Sequence, residues 1–235
     1  EPGAVRRAGA GPEAGVARTR APLMAPCGKG ACQDKDVRTG FENGSWGVRA
    51  GDAPGVFETP WGRIGTSICY DSEFPMLARA QVEAGAWLIL VPTCTDSMHG
   101  FNRVRLSAQA RALENQCFVA VSPTVGLAPW LATLDENHGC AGVYGPVDRG
   151  FPDDGIMAEG RLDEGGWIFV TLNPETLTAV RENGAVRNRH DWPAHVPPAE
   201  LLKTEPRARG PGKAGGGGSP APRAPLAACG KRASP

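Results

Sequence analysis

The chain has 235 residues, of which 25 are Lys or Arg and 25 are Asp or Glu, so its formal net charge is zero. That balance gives no pull toward nucleic acid or an anionic membrane surface, and no apolar run approaches the roughly 20 residues of a membrane span. Seven cysteines, an odd number without framework spacing, argue against a disulfide scaffold and for reduced thiols in a cytoplasm.

Composition divides the chain into three parts. Residues 1–31 and 196–235 are dominated by Gly, Ala, Pro and Arg, the latter including Gly215-Gly216-Gly217-Gly218-Ser219-Pro220. Such stretches bury too little apolar surface to offset the entropy of ordering and are expected to be disordered. Arg6-Arg7 has no apolar region after it, so a secretory signal is not expected. Residues 32–195 form the foldable domain, long enough for a true core.

Taken in order, Val56 to Gly65 reads as a hairpin with Pro60 and Gly62 in the turn, and Ile64 to Cys69 continues as a strand. Met76 to Ala84 has apolar residues at helical spacing, and Gly85 stops it. Ala86 to Val91 is a continuous apolar run, the pattern of a strand covered on both faces. Phe101 to Gln116 predicts a helix with Val104, Leu106, Ala108, Ala112 and Leu113 on one side and Arg103, Arg105 and Gln109 on the other. Cys117 to Val121, Gly139 to Tyr144 and Trp167 to Leu172 read as strands, the last a strong one. Pro174 to Arg181 predicts a short helix capped by Asn173. Alternating strands and helices over 64–121 indicate an α/β unit.

The chemistry concentrates at Cys69-Tyr70-Asp71-Ser72-Glu73-Phe74-Pro75. A lone cysteine in an apolar run is ordinarily a small core residue. Here two acids follow a strand end and Pro75 suits the first turn of a helix. The order predicts a sharp elbow that sets the thiol against a helix N-terminus, where N–H groups favour anions. Cys94 and Cys117 also lie near strand ends but have no acidic or aromatic company. His138 and Cys140 are too close in sequence to fix a nucleophile–base hydrogen bond. Cys27 and Cys32 could form half of a metal site, but no second pair has ligand spacing. The six tryptophans read mostly as packing residues.

Residues 61–75 resemble the nucleophile segment of the nitrilase superfamily, the carbon–nitrogen hydrolases: an apolar strand, then Cys-Tyr-Asp, then Glu-Phe-Pro. Further segments agree in order: Ile89-Leu90-Val91-Pro92-Thr93, Arg111-Ala112-Leu113-Glu114-Asn115-Gln116, and Gly139 to Pro146. The segment Gln33-Asp34-Lys35 through Phe41-Glu42-Asn43 resembles the family's lysine segment.

The resemblance implies a four-layer α-β-β-α sandwich that is N-terminally incomplete. It makes Cys69 the nucleophile, Lys35 the catalytic lysine and Glu42 the auxiliary glutamate. Lys35 and the backbone N–H of Tyr70 would form the oxyanion hole, while Asp71, Glu73, Arg111 and Glu114 support the elbow. It implies hydrolysis of a non-peptide carbon–nitrogen bond, in a small amide rather than a nitrile, through a cysteine thioester. The substrate is then a small molecule, the protein a cytoplasmic homodimer or larger homo-oligomer, and no cofactor is needed. The general-base glutamate belongs well upstream of the lysine. The acids available there, Glu1, Glu13 and Asp34, do not follow an apolar strand, so no residue is assigned. The alternative is a catalytically incomplete relative acting as a binding or interaction module.

Overall fold

The computed structural model describes residues 17–192, apart from 26–27, 29, 52–54 and 132–133. Cys27, Glu1, Glu13 and the segment 196–235 therefore lie outside the described residues. Strands β1 (Arg20–Met24) and β2 (Gly30–Asp34) form an antiparallel ribbon. The first of them falls within the segment expected to be disordered. Apolar periodicity does not hold it; the ladder and the ion pairs of Arg18 and Arg20 with Asp34 do. A short helix, α1 (Gly40–Asn43), follows, capped by Thr39.

Strands β3 (Val56–Thr59) and β4 (Gly62–Thr66) make the expected hairpin, with Pro60-Trp61 as its turn and Gly62 opening β4 at φ +104°. A 3-10 turn (Cys69–Glu73) leads into α2 (Pro75–Glu83). Then come β5 (Leu88–Thr93), α3 (Met98–Asn115) and β6 (Phe118–Pro123). The ribbon β7 (Gly126–Leu127) with β8 (Glu136–Asn137), strands β9 (Gly142–Tyr144) and β10 (Ile156–Glu159), and helices α4 (Pro174–Asn183) and α5 (Asn188–Asp191) complete the described elements. Asn173 caps α4 as its sequence predicts, its Oδ1 accepting the N–H of Glu175 at 2.8 Å.

Six strands form one mixed sheet in the order β10-β9-β6-β5-β4-β3, with β4, β5 and β6 parallel. Helices α2 and α3 cover one face. Ala78, Val82, Val104, Ala108 and Ala112 pack there against Ile89, Val91, Val119, Val121 and Tyr144. Of the expected layers, the described residues supply this sheet, its helical cover and the small ribbons.

Three expectations are corrected. First, β5 is not sealed on both faces. Ile89, Val91 and Thr93 are buried, whereas Leu88, Leu90 and Pro92 are only half-buried, so the strand alternates as a sheet with one tightly packed face does. Second, on α3 Leu106 and Leu113 are exposed, and the buried side is Phe101, Val104, Ala108 and Ala112. Two residues along a helix turn about 200°, so Leu106 faces away from Val104. Third, Trp167 to Leu172 forms no strand, and Trp167 and Phe169 are 74% and 87% exposed. Nor are most tryptophans packing residues. Trp46, Trp61, Trp130 and Trp167 are exposed, while Trp87 meets Phe118 edge-on and Trp192 lies under Arg79.

Candidate active site

Strand β4 ends at Thr66, three residues before the expected point, and Cys69 opens the 3-10 turn at φ +52°. The left-handed conformation is costly for a side chain other than glycine. It reverses the chain within one residue, and the five-residue turn separates the thiol from the first turn of α2. The elbow is seated by Gln81 of α2, which donates to the Thr66 carbonyl at 2.9 Å and accepts from the Ser67 hydroxyl at 3.2 Å. Gly65 permits that approach, because a Cβ there would lie 2.9 Å from the Gln81 side chain.

The parallel ladder ends at the Thr66–Leu90 pair, and the turn beyond it sets Cys69 beside Thr93. The Thr93 hydroxyl donates to Cys69 Sγ at 3.1 Å, and the thiol reaches the Cys94 carbonyl at 3.8 Å. Thr93 is a functional candidate that sequence reasoning missed. Its signal was a polar residue at the carboxyl end of the strand beside the cysteine's own.

Lys35 and Glu42 meet directly in the fold. Lys35 Nζ lies 2.6 Å from Glu42 Oε2, and both side chains are buried. Thr39 fixes the carboxylate further, donating its backbone N–H at 2.8 Å and its hydroxyl at 3.1 Å. Burial pushes the Glu42 carboxyl up, but the Lys35 ammonium and the Thr39 donors outweigh it and hold the group below its ordinary range. The main chain of Lys35 is tied on both sides, its N–H to the Thr19 carbonyl and its carbonyl to the Gly51 N–H, each at 2.8 Å.

Asp71 connects the lysine segment to the elbow. Its Oδ1 accepts the Val37 N–H at 2.7 Å, and its Oδ2 accepts those of Ile68 at 3.0 Å and Asp36 at 3.4 Å. Burial raises its pKa despite these donors and the field of Lys35. Asp36, at the same junction, is pushed up to about 6 by burial, then by the charges of Asp71 and Asp34.

The other expected supports divide. Glu73 pairs with Arg103 of α3 at 3.3 Å, tying the turn to the helix. Arg111 and Glu114 bond each other at 2.7 Å on α3. Burial raises the Glu114 carboxyl, and the Arg111 and Arg79 charges oppose it. The ring of Tyr70 packs edge-on against Phe74 at 4.9 Å between centroids.

Other thiols have different surroundings. The Cys94 thiol donates to Asn137 Oδ1 at 2.8 Å. Burial pushes the Cys117 thiol up to about 12. His138 is held by Asp163 at 3.0 Å and Glu136 at 3.3 Å, not by Cys140. Among the described residues, no helix is long and apolar enough to cross a membrane.

The candidate site is thus a thiol at a left-handed elbow beyond β4, with a buried Lys35–Glu42 pair tied through Asp71 to the same turn. The carbon-nitrogen hydrolase family model matches residues 23–181, and the chain belongs to that family. It is 40% identical over 146 residues to the probable hydrolase YhcX of Bacillus subtilis, covering 62% of this chain and 28% of that protein. It is 30% identical over 180 residues to a deaminated glutathione amidase of Synechocystis, covering 72% of this chain and 62% of the relative. The chain thus spans less than two thirds of the length of these relatives.

Among solved structures, Nit3 of Saccharomyces cerevisiae, a nitrilase-superfamily member, matches with a TM-score of 0.60 at 23% identity, over 70% of this chain and 56% of that one. The α/β fold is therefore that of the nitrilase superfamily. A variant of the amidase from Nesterenkonia sp. AN1, bearing acrylamide added to its active-site cysteine, matches with a TM-score of 0.53 at 26% identity, over 74% and 62%.

Proposed function

We propose that this chain carries the nucleophile and lysine of an amidase that hydrolyses a small amide through a thioester on Cys69. The observation that supports it most is the single junction at which the Cys69 elbow, the Thr93 hydroxyl and the buried Lys35–Glu42 pair are fastened together. The Cys69 sulfur attacks the amide carbon. The developing oxyanion is met by the Lys35 ammonium and the Tyr70 N–H. The proton of the thiol passes by way of a carboxylate to the leaving amine, which departs as the C–N bond breaks, and water then cleaves the thioester to release the acid. Glu42, already committed to Lys35 and Thr39, fixes the ammonium. The proton-carrying glutamate is not assigned to a residue. A nitrile would pass through a thioimidate instead, and the amidase names of the relatives favour the amide.

A second reading, a relative that captures ligands without turnover, draws on Glu42 being committed to Lys35 and Thr39 rather than free to carry a proton. Incubation with acrylamide, with each thiol followed by peptide mass spectrometry, tests the site. Cys69 is expected to label faster than Cys94 and Cys140. Equal rates would remove the amidase reading. Ammonia release from a panel of small amides, absent in Cys69→Ala, separates turnover from capture.

A further inference from the structure

We infer that Asp71 is the positioning residue that sets the register of Lys35 against Cys69, an inference that rests on the amidase reading of this site. Each of its two oxygens holds a different part of the chain. Oδ1 takes the N–H of Val37, two residues after the lysine, at 2.7 Å, and Oδ2 takes that of Ile68, the residue before the cysteine, at 3.0 Å. The Asp36 N–H at 3.4 Å adds to the lysine side. The carboxyl is only 2% exposed, so water does not compete for these donors, and amides left without an acceptor there would be costly.

The two parts share no sequence neighbourhood, and the lysine lies beyond the end of β2 rather than on a strand of the main sheet. A side chain bonded to both therefore fixes a distance that strand pairing alone does not. Asp71 acts through Lys35 and Cys69 and takes no part in the bond changes itself. Asparagine keeps one acceptor oxygen but turns an NH₂ toward the other set of donors, so it preserves only one of the two links.

The test compares the full chain with Asp71→Ala, Asp71→Asn and Leu177→Ala, the last a buried α4 variant outside the core on which Cys69 packs. Each is treated with iodoacetamide and followed per cysteine by mass spectrometry, with backbone amide exchange measured in parallel. Asp71→Ala is expected to slow Cys69 alkylation at least about tenfold relative to Cys94, as misplacement of a reacting pair does. Asp71→Asn should slow it less, and Leu177→Ala should leave the ratio unchanged while lowering stability. The Val37 and Ile68 amides should be protected in the parent and lose protection together in Asp71→Ala. A Cys69 rate within about twofold of the parent in folded Asp71→Ala overturns the inference, on a scale where misplacement costs far more. Where Asp71→Ala does not fold, Asp71→Asn and the parent amides decide, and a freely exchanging Val37 amide overturns it. Parent Cys69 reacting no faster than Cys94 refutes the amidase reading instead, and the amide exchange still decides whether Asp71 joins the two segments.

Discussion

Strand β5 and the segment 167–172 are both short apolar runs, yet they occupy opposite environments. β5 lies between β4 and β6, with Ile89 and Val91 each 1% exposed beneath α2 and α3. The segment 167–172 has no ladder assigned, and Phe169 is 87% exposed. Burial follows from neighbours on both edges and a helix above, and an apolar sequence supplies only the willingness to accept them. The candidate site adjoins the well-neighboured strand, whose last residue, Thr93, touches the Cys69 sulfur.

The contrast can be tested by mutation, starting with the largest effect. Ile89→Ala should cost about 3 kcal/mol, the transfer and cavity cost of a buried isoleucine, read as a lower urea midpoint by circular dichroism. A loss below about 1 kcal/mol would mean that the β5 face is far less tightly packed than its burial indicates.

Asp36, at the loop between the ribbon and the elbow, should give an intermediate effect. Its pKa rises from 3.8 to about 6 in the folded chain. Between those values the folded state holds a proton that the unfolded state has released, so stability falls as pH climbs through that window. Asp36→Asn should therefore be more stable than the parent by about 1–2 kcal/mol near neutrality, after discounting for solvent at a half-buried group. The gain should vanish below the ordinary carboxylate pKa. Chemical denaturation at several pH values checks it, and a gain independent of pH would assign the effect to packing. The smallest effect belongs to Phe169→Ser, expected within about 0.5 kcal/mol because the ring already meets solvent. A loss comparable to that of Ile89→Ala would show that 167–172 is covered in solution.

The candidate residues were legible through the resemblance of their segments to the family's. Lys35 and Glu42, seven residues apart, meet across one capped turn, and the Cys-Tyr-Asp order sits where a strand gives way to a reversal. What escaped depends on partners distant in sequence. Thr93 reaches the sulfur across two paired strands and a turn, and Asp71 serves two segments whose contact is tertiary. The β1–β2 ribbon lay hidden in a Gly- and Pro-rich stretch because Arg–Asp pairs and ladder bonds hold it. The sidedness of α3 failed at Leu106 and Leu113 because both lie about half a turn of the helix from Val104.

Cys69 occupies a backbone geometry, φ +52°, that suits glycine better than any residue bearing a Cβ. Every folded molecule holds that tension, of about 1–2 kcal/mol, whether or not anything is bound. The protein is thus loaded like a drawn spring at the proposed nucleophile, and the substitution that would slacken it, Cys69→Gly, is the one that would remove the sulfur.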